Sequence, residues 1–119
     1  MDIDIRKKHK VNILELSGHF THGEGDVLLA KHFRELLEAG ERLFVFDLRR
    51  VPYLDSSAVG ETVACHKRAT DRRGIIKLVM TPKGKPEEIF TLTSLHRIFS
   101  IYPDMEEALA SFAELIDTL

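Results

Sequence analysis

Asp55-Ser56-Ser57 is the segment of the chain best equipped for chemistry. It follows a run of apolar residues and precedes a helix-like pattern, so it lies where a strand hands over to a helix. In α/β sheets that handover is where ligand and signalling chemistry is placed. Asp and Ser oxygens also accept hydrogen bonds from the free N–H groups of a helix start, so each of the three residues suits an N-cap. Capping alone would account for these residue types, and the residues by themselves leave both readings open.

Other candidates carry less. Ser57 lies outside a GxSxG frame, and no His–Asp pair is implied by spacing, so a catalytic nucleophile is not expected. Gly23-Glu24-Gly25 is too short for a phosphate-cradling GxxxxGK[ST] loop and lacks its Lys. The histidines His9, His19, His22, His32, His66 and His96 show neither HxxxH nor HExxH spacing, and no Cys cluster joins them. No metal or cofactor is expected. The one cysteine, Cys65, can form no internal disulfide and has no CxxC companion, which fits a reducing compartment. Its place within a helix suggests a small core residue.

The elements that must position Ser57 are marked by periodicity and punctuation. Ile3 and Ile5 alternate with charges as in an edge strand. Val11 to Ser17 reads as a second strand, and the polar Lys7–Lys10 stretch as the hairpin turn between them. Asp26 to Ala39 reads as a helix with Asp26 as cap or first-turn acid and Gly40 as its stop. Leu43 to Leu48 is nearly continuous apolar sequence, as in a strand buried on both faces. Ser57 to Arg73 reads as a helix closed by Gly74, and Ile75 to Met80 as another central strand. Pro86 to Ser94 suits a short helix with Pro in its first turn. Ile98 to Tyr102 would be the last strand, and Asp104 to Leu119 one closing helix capped by Asp104. This order implies one α/β domain over residues 1–119. Its sheet would be mixed but mostly parallel, with an N-terminal hairpin and about four covering helices.

The chain has 119 residues, enough to bury a core without staples. Its formal net charge is -2, with basic residues scattered, so neither nucleic acid nor an anionic membrane is an expected partner. Met1-Asp2-Ile3-Asp4 is not a secretory opening, and no stretch approaches the roughly 18 apolar residues of a membrane span. A soluble cytoplasmic protein is expected.

Almost the whole chain resembles the STAS domain family, whose small stand-alone members are bacterial anti-sigma factor antagonists. Asp55-Ser56-Ser57-Ala58-Val59-Gly60 is similar to the family's Asp-Ser-Ser-Gly-Leu-Gly signature, after a strand carrying Asp47-Leu48. Gly74 to Val79, Ile89 to Leu95, Ile98 to Tyr102 and Glu106 to Leu109 resemble later blocks of the family in the same register. The resemblance implies that Ser57 is phosphorylated and that Asp55, Ser56, Ser57, Ala58, Thr21 and His22 face a partner. That partner would be an anti-sigma factor serine kinase, and a metal-dependent serine phosphatase would remove the mark. The domain itself would catalyse nothing. Its binding would free a sigma factor while Ser57 is unmodified. Ala58 departs from the family's usual Gly. Thr21 stands where many antagonists carry the Asp of Gly-Glu-Leu-Asp, which bears on which partner is recognised. His22 to Asp26 resembles a variant loop of some members, with His19 and His22 as rim contacts. The alternative within the family is a scaffold or ligand-binding module without phosphate control, in a sensory or transport assembly.

Overall fold

The computed structural model describes residues 1–118, with side chains through Ile116. The strands are β1 (Asp2–Lys8), β2 (Val11–Ser17), β3 (Leu43–Arg50), β4 (Ile75–Val79) and β5 (Ser100–Tyr102). The helices are α1 (Gly25–Glu38), α2 (Ser56–Asp71), α3 (Lys85–Leu92), α4 (Met105–Ala110) and α5 (Ala113–Thr118), with one 3-10 turn at Leu95–Arg97. The five strands form a single sheet in the order β1-β2-β3-β4-β5. β1 runs antiparallel to β2, and the remaining neighbours are parallel. This is the expected mixed α/β sheet with an opening hairpin.

β3 is central, and Leu43 through Leu48 are all buried, which explains its unbroken apolar run. Phe44, Phe46 and Leu48 face one side, with Leu14, Leu16, Ile76 and Leu78 of the neighbouring strands. There they meet Leu29, Phe33 and Leu37 of α1, Ala58, Cys65 and Ala69 of α2, and Phe90 of α3. Leu43 and Val45 face the other side with Val11, Ile13 and Val79, under Ala108 and Phe112. Alternation along a strand thus assigns each residue to one of two cores. Burial pushes the Cys65 thiol well above the ordinary thiol range, with the Glu61 carboxylate adding to it. It is a packed side chain, not a reactive one.

Several boundaries differ from the sequence reading. The hairpin turn is only His9-Lys10, with Arg6, Lys7 and Lys8 still in β1. Both turn residues have positive φ, 50° and 70°, which a two-residue loop needs to match the twist of its strands. Neither is Gly or Asn, so the turn is strained. Replacing the pair by Asn-Gly is expected to raise the unfolding free energy by about 1 kcal/mol. A urea midpoint that does not rise would show that the turn carries no such strain.

α2 ends at Asp71, and its left-handed closing residue is Arg73 (φ 61°) rather than Gly74. Gly74 is required for space: a Cβ there would lie 2.9 Å from the Arg42 carbonyl oxygen and 3.2 Å from that of Ala69. α3 stops at Leu92, because Ser94 turns left-handed (φ 60°) and the 3-10 turn follows. That turn delays β5 to Ser100, since the N–H groups of Ile98 and Phe99 bond back to the Leu95 carbonyl.

Asp104 caps α4 as expected, accepting the Glu107 N–H at 2.8 Å. The closing helix is broken in two, however, so five α-helices cover the sheet rather than about four. The break falls at Ser111, where Lys77 of β4 intervenes. Its Nζ donates to the Ser111 carbonyl (3.2 Å) and Oγ (2.7 Å). It also lies 4.4 Å from the Phe112 ring centre. The expected helix end at Leu119 lies outside the described residues.

Candidate functional site

Two loops meet at the C-terminal end of β2 and β3. Phe20 and Leu54 pair in a short parallel bridge beyond the sheet. The Phe20 N–H donates to the Tyr53 carbonyl (3.0 Å), and the Asp55 N–H to the Phe20 carbonyl (3.2 Å). Both apolar side chains are buried, so the loop before α1 is zipped to the loop before α2. Gly25 allows this closeness, since a Cβ there would sit 2.9 Å from Phe20 Cδ1 and 3.1 Å from its Cα.

Asp55 resolves the question of which residue caps α2. Its Oδ1 accepts the Ala58 N–H at 3.0 Å, three residues on. Its Oδ2 accepts the His22 N–H at 2.9 Å, across to the other loop. One carboxylate thereby starts a helix and ties two loops together. The donated His22 and Ala58 N–H groups hold the Asp55 carboxyl below the usual carboxylate range. Because the folded value is depressed, this stabilisation is complete above the unfolded carboxyl's range and is lost as pH falls through the folded value. Asp55→Asn is therefore expected to lower stability at neutral pH and to flatten the acid limb of the stability curve. Urea unfolding at a series of pH values checks this, and parallel curves for the two proteins would contradict it.

Ser56 and Ser57 occupy the first turn of α2, Ser56 exposed and Ser57 partly exposed. The Ser57 Oγ lies 3.2 Å from His22 Nδ1. The same Nδ1 is 3.5 Å from Asp26 Oδ2 in the first turn of α1. His22 itself is 81% exposed, so the contact stands at the surface rather than within the core. Thr21 holds the loop through its carbonyl, which accepts the Asp26 N–H at 3.3 Å. Ala58, expected among the partner-facing residues, points inward and is fully buried against the α2 side of the core. It seats the helix beneath the surface formed by the others. His19 lies edge-on to Tyr53, with ring centres 5.8 Å apart, and Tyr53 is one of the large apolar side chains left exposed.

The structure thus brings Thr21, His22, Asp55, Ser56 and Ser57 to one end of the sheet. Sequence reasoning missed the direct His22–Ser57 contact and the part of Asp26. The contact spans 35 residues, and the only local signal for it was the four-residue spacing of His22 and Asp26. A groove of about 510 Å³ runs beside the site between α1 and α2, past Asp26, Val27, Lys31, Arg34 and Glu61. Among the described residues, no group of three His, Cys, Asp or Glu side chains gathers as a metal site would require. No described helix is long and apolar enough to cross a membrane.

A mostly parallel sheet with an opening antiparallel hairpin has counterparts among solved structures. The chain is 29% identical to a candidate anti-sigma factor antagonist from Thermotoga maritima, over 92% of each chain, with a TM-score of 0.84. An anti-sigma factor antagonist from Mycobacterium paratuberculosis aligns over 92% of each chain at 19% identity and a TM-score of 0.82. The phosphorylated form of the Bacillus cell fate determinant SpoIIAA aligns with 92% of this chain and 98% of its own, at 16% identity and a TM-score of 0.71. At these two lower identities the likeness is one of fold. A family model for the STAS domain matches residues 2–108, through all five strands and both loops that carry the Ser57 site, and the chain belongs to that family.

Proposed function

We propose that this chain, residues 1–119, is a cytoplasmic anti-sigma factor antagonist whose binding is switched off by phosphorylation of Ser57. The observation that carries the reading is the Ser57 hydroxyl itself, partly exposed at the start of α2 within the segment that resembles the family signature. With Ser57 unmodified, Thr21, His22, Asp55, Ser56 and Ser57 form a surface of small polar groups that an anti-sigma factor kinase can cover. That kinase transfers the γ-phosphoryl group of ATP to Ser57 Oγ. The hydroxyl proton is lost and ADP departs. A metal-dependent serine phosphatase hydrolyses the ester, returning the hydroxyl and inorganic phosphate.

The switch works through charge. A phosphate adds about -1.5 to -2 charge and three acceptor oxygens. The start of a helix tolerates an anion, so the domain keeps its fold. A partner that must bury the same patch meets a poorly compensated dianion and dissociates. The domain catalyses nothing in this scheme and needs no cofactor, nucleic acid or membrane.

Peptide mass spectrometry of the protein isolated from its native cells, with co-purified partners identified, tests the proposal. A phosphate on Ser57, with an ATP-binding anti-sigma factor captured only by the unmodified form, is the expected result. Ser57 unmodified under every growth condition, with no such kinase captured, would overturn it. The surface would then be that of a scaffold or ligand-binding module.

A further inference from the structure

Besides its place on the proposed partner-facing surface, His22 aims its imidazole at the one hydroxyl the proposed switch modifies. Its Nδ1 is 3.2 Å from Ser57 Oγ and 3.5 Å from Asp26 Oδ2, while its backbone N–H is held at 2.9 Å by Asp55. The loop is therefore fixed at its backbone, and the ring lies between a hydroxyl and a carboxylate. In the unmodified protein the neutral ring can accept the Ser57 hydroxyl proton's hydrogen bond, or a ring N–H can point to Asp26.

The charges facing this ring are unbalanced. Asp26 of α1 and Asp55 at the head of α2 both present carboxylates. Glu24 of the same loop is bound to the Met1 ammonium at 2.6 Å, and Glu61 further along α2 is bound to Arg68 at 2.9 Å. Lys31 and Arg34 of α1 line the neighbouring groove rather than the ring's own contacts. A phosphate on Ser57 would add a third anion to a place already holding two carboxylates. The group within hydrogen-bonding reach of the phosphorylated oxygen that can carry a positive charge is the His22 imidazole.

We infer that His22 is a clasp for the phosphorylated state, its imidazolium donating to the Ser57 phosphate and holding that phosphate against the domain's own surface. The inference rests on Ser57 being the modified residue and assigns a distinct job to its neighbour. Before phosphorylation the ring is shared between Ser57 and Asp26. Afterwards it turns fully to the phosphate, because a charge-assisted bond to a dianion outweighs a neutral hydroxyl contact. His22 thus sets the ionisation and the orientation of the phosphate. It is a positioning residue, touching the modification without transferring it.

The test uses full-length protein with phosphoserine incorporated at position 57 during synthesis, so no kinase is needed. The second ionisation of the phosphate is followed by its 31P resonance as pH is varied. With His22 in place that ionisation is expected to fall about one pH unit below its value in His22→Gln, as a cation within 4 to 6 Å of an anion dictates. His22→Arg, which restores a charge, should bring it back down. Near-ultraviolet circular dichroism spectra unchanged among the three proteins would show that the fold is intact in each. Identical 31P titrations in wild type and His22→Gln would overturn the clasp. Because the phosphate is installed by synthesis, that result is distinguishable from failure of the switch, which would show as Ser57 unmodified in cells.

Discussion

Ser57→Asp is expected to lower affinity for the proposed anti-sigma factor kinase by about 30-fold or more, whereas Ser57→Ala stays within about threefold of wild type. The first number follows from burying one uncompensated charge at an interface, which costs about 2 to 5 kcal/mol, and each 1.4 kcal/mol is about a factor of ten. Asp has a shorter reach and less charge than phosphoserine, so authentic phosphate should weaken binding further. The second number follows from position. Ser57 contributes one hydroxyl contact, to a mostly exposed His22, and exposed hydrogen bonds are worth little net. Calorimetric titration of the kinase with each variant decides the matter. Equal affinities for the Asp and Ala variants would remove charge as the switching principle and leave a surface that reads shape alone.

Phe33→Ala is expected to cost about 3 to 5 kcal/mol and to lower the melting temperature by about 15 °C. Phe33 is fully buried on the inner face of α1. Its ring centre is 4.8 Å from that of Phe44 and 5.8 Å from that of Phe46, both tilted or edge-on. Truncation leaves a cavity against the middle of β3, the central strand, which is held by paired neighbours on both sides. Phe33→Leu, which keeps most of the volume, should cost well under half as much. Differential scanning calorimetry of the two variants separates the outcomes. A loss below about 1 kcal/mol for the Ala variant would mean that α1 can settle into the gap.

The general architecture was legible because its signals are redundant. The unbroken Leu43–Leu48 run, the alternating edge strand and the stripe of Leu29, Phe33 and Leu37 each follow from one period and one buried face. The stop at Gly40 was legible for the same reason. Its φ is 98°, and the N–H groups of Gly40 and Glu41 close on Leu37 and Leu36 as a glycine-ended helix does. What escaped was set by contacts between distant residues. No local rule says that Lys77 will reach Ser111, where the last helix breaks, since a mid-strand lysine reads as solvent-facing. Likewise the Arg73 turn looks like a glycine stop until the crowding around Gly74 is seen. At the site, the serine pair and the capping acid were readable as types in a row. Which of the three caps, and that His22 meets Ser57, depended on the Phe20–Leu54 bridge that aligns two loops.

The sheet's order has a consequence for the protein's birth. Strands follow one another across the sheet in the order in which they are made. Each new strand can dock beside its predecessor, and none has to be inserted between two already paired. A chain emerging from the ribosome can therefore build from one edge to the other, closing short loops first. By the time α2 ends at Asp71, both loops of the Ser57 site exist, as do the three strands that hold them. The remaining residues add β4 and a three-residue edge strand, then α4 and α5 over the second face. The Ser57 end of the molecule is thus translated ahead of the helices that close its reverse side. Until those helices arrive, Val11, Ile13, Leu43 and Val45 remain uncovered. The nascent domain's period of greatest exposure to misassembly falls at the end of its synthesis, on the face opposite α1 and α2.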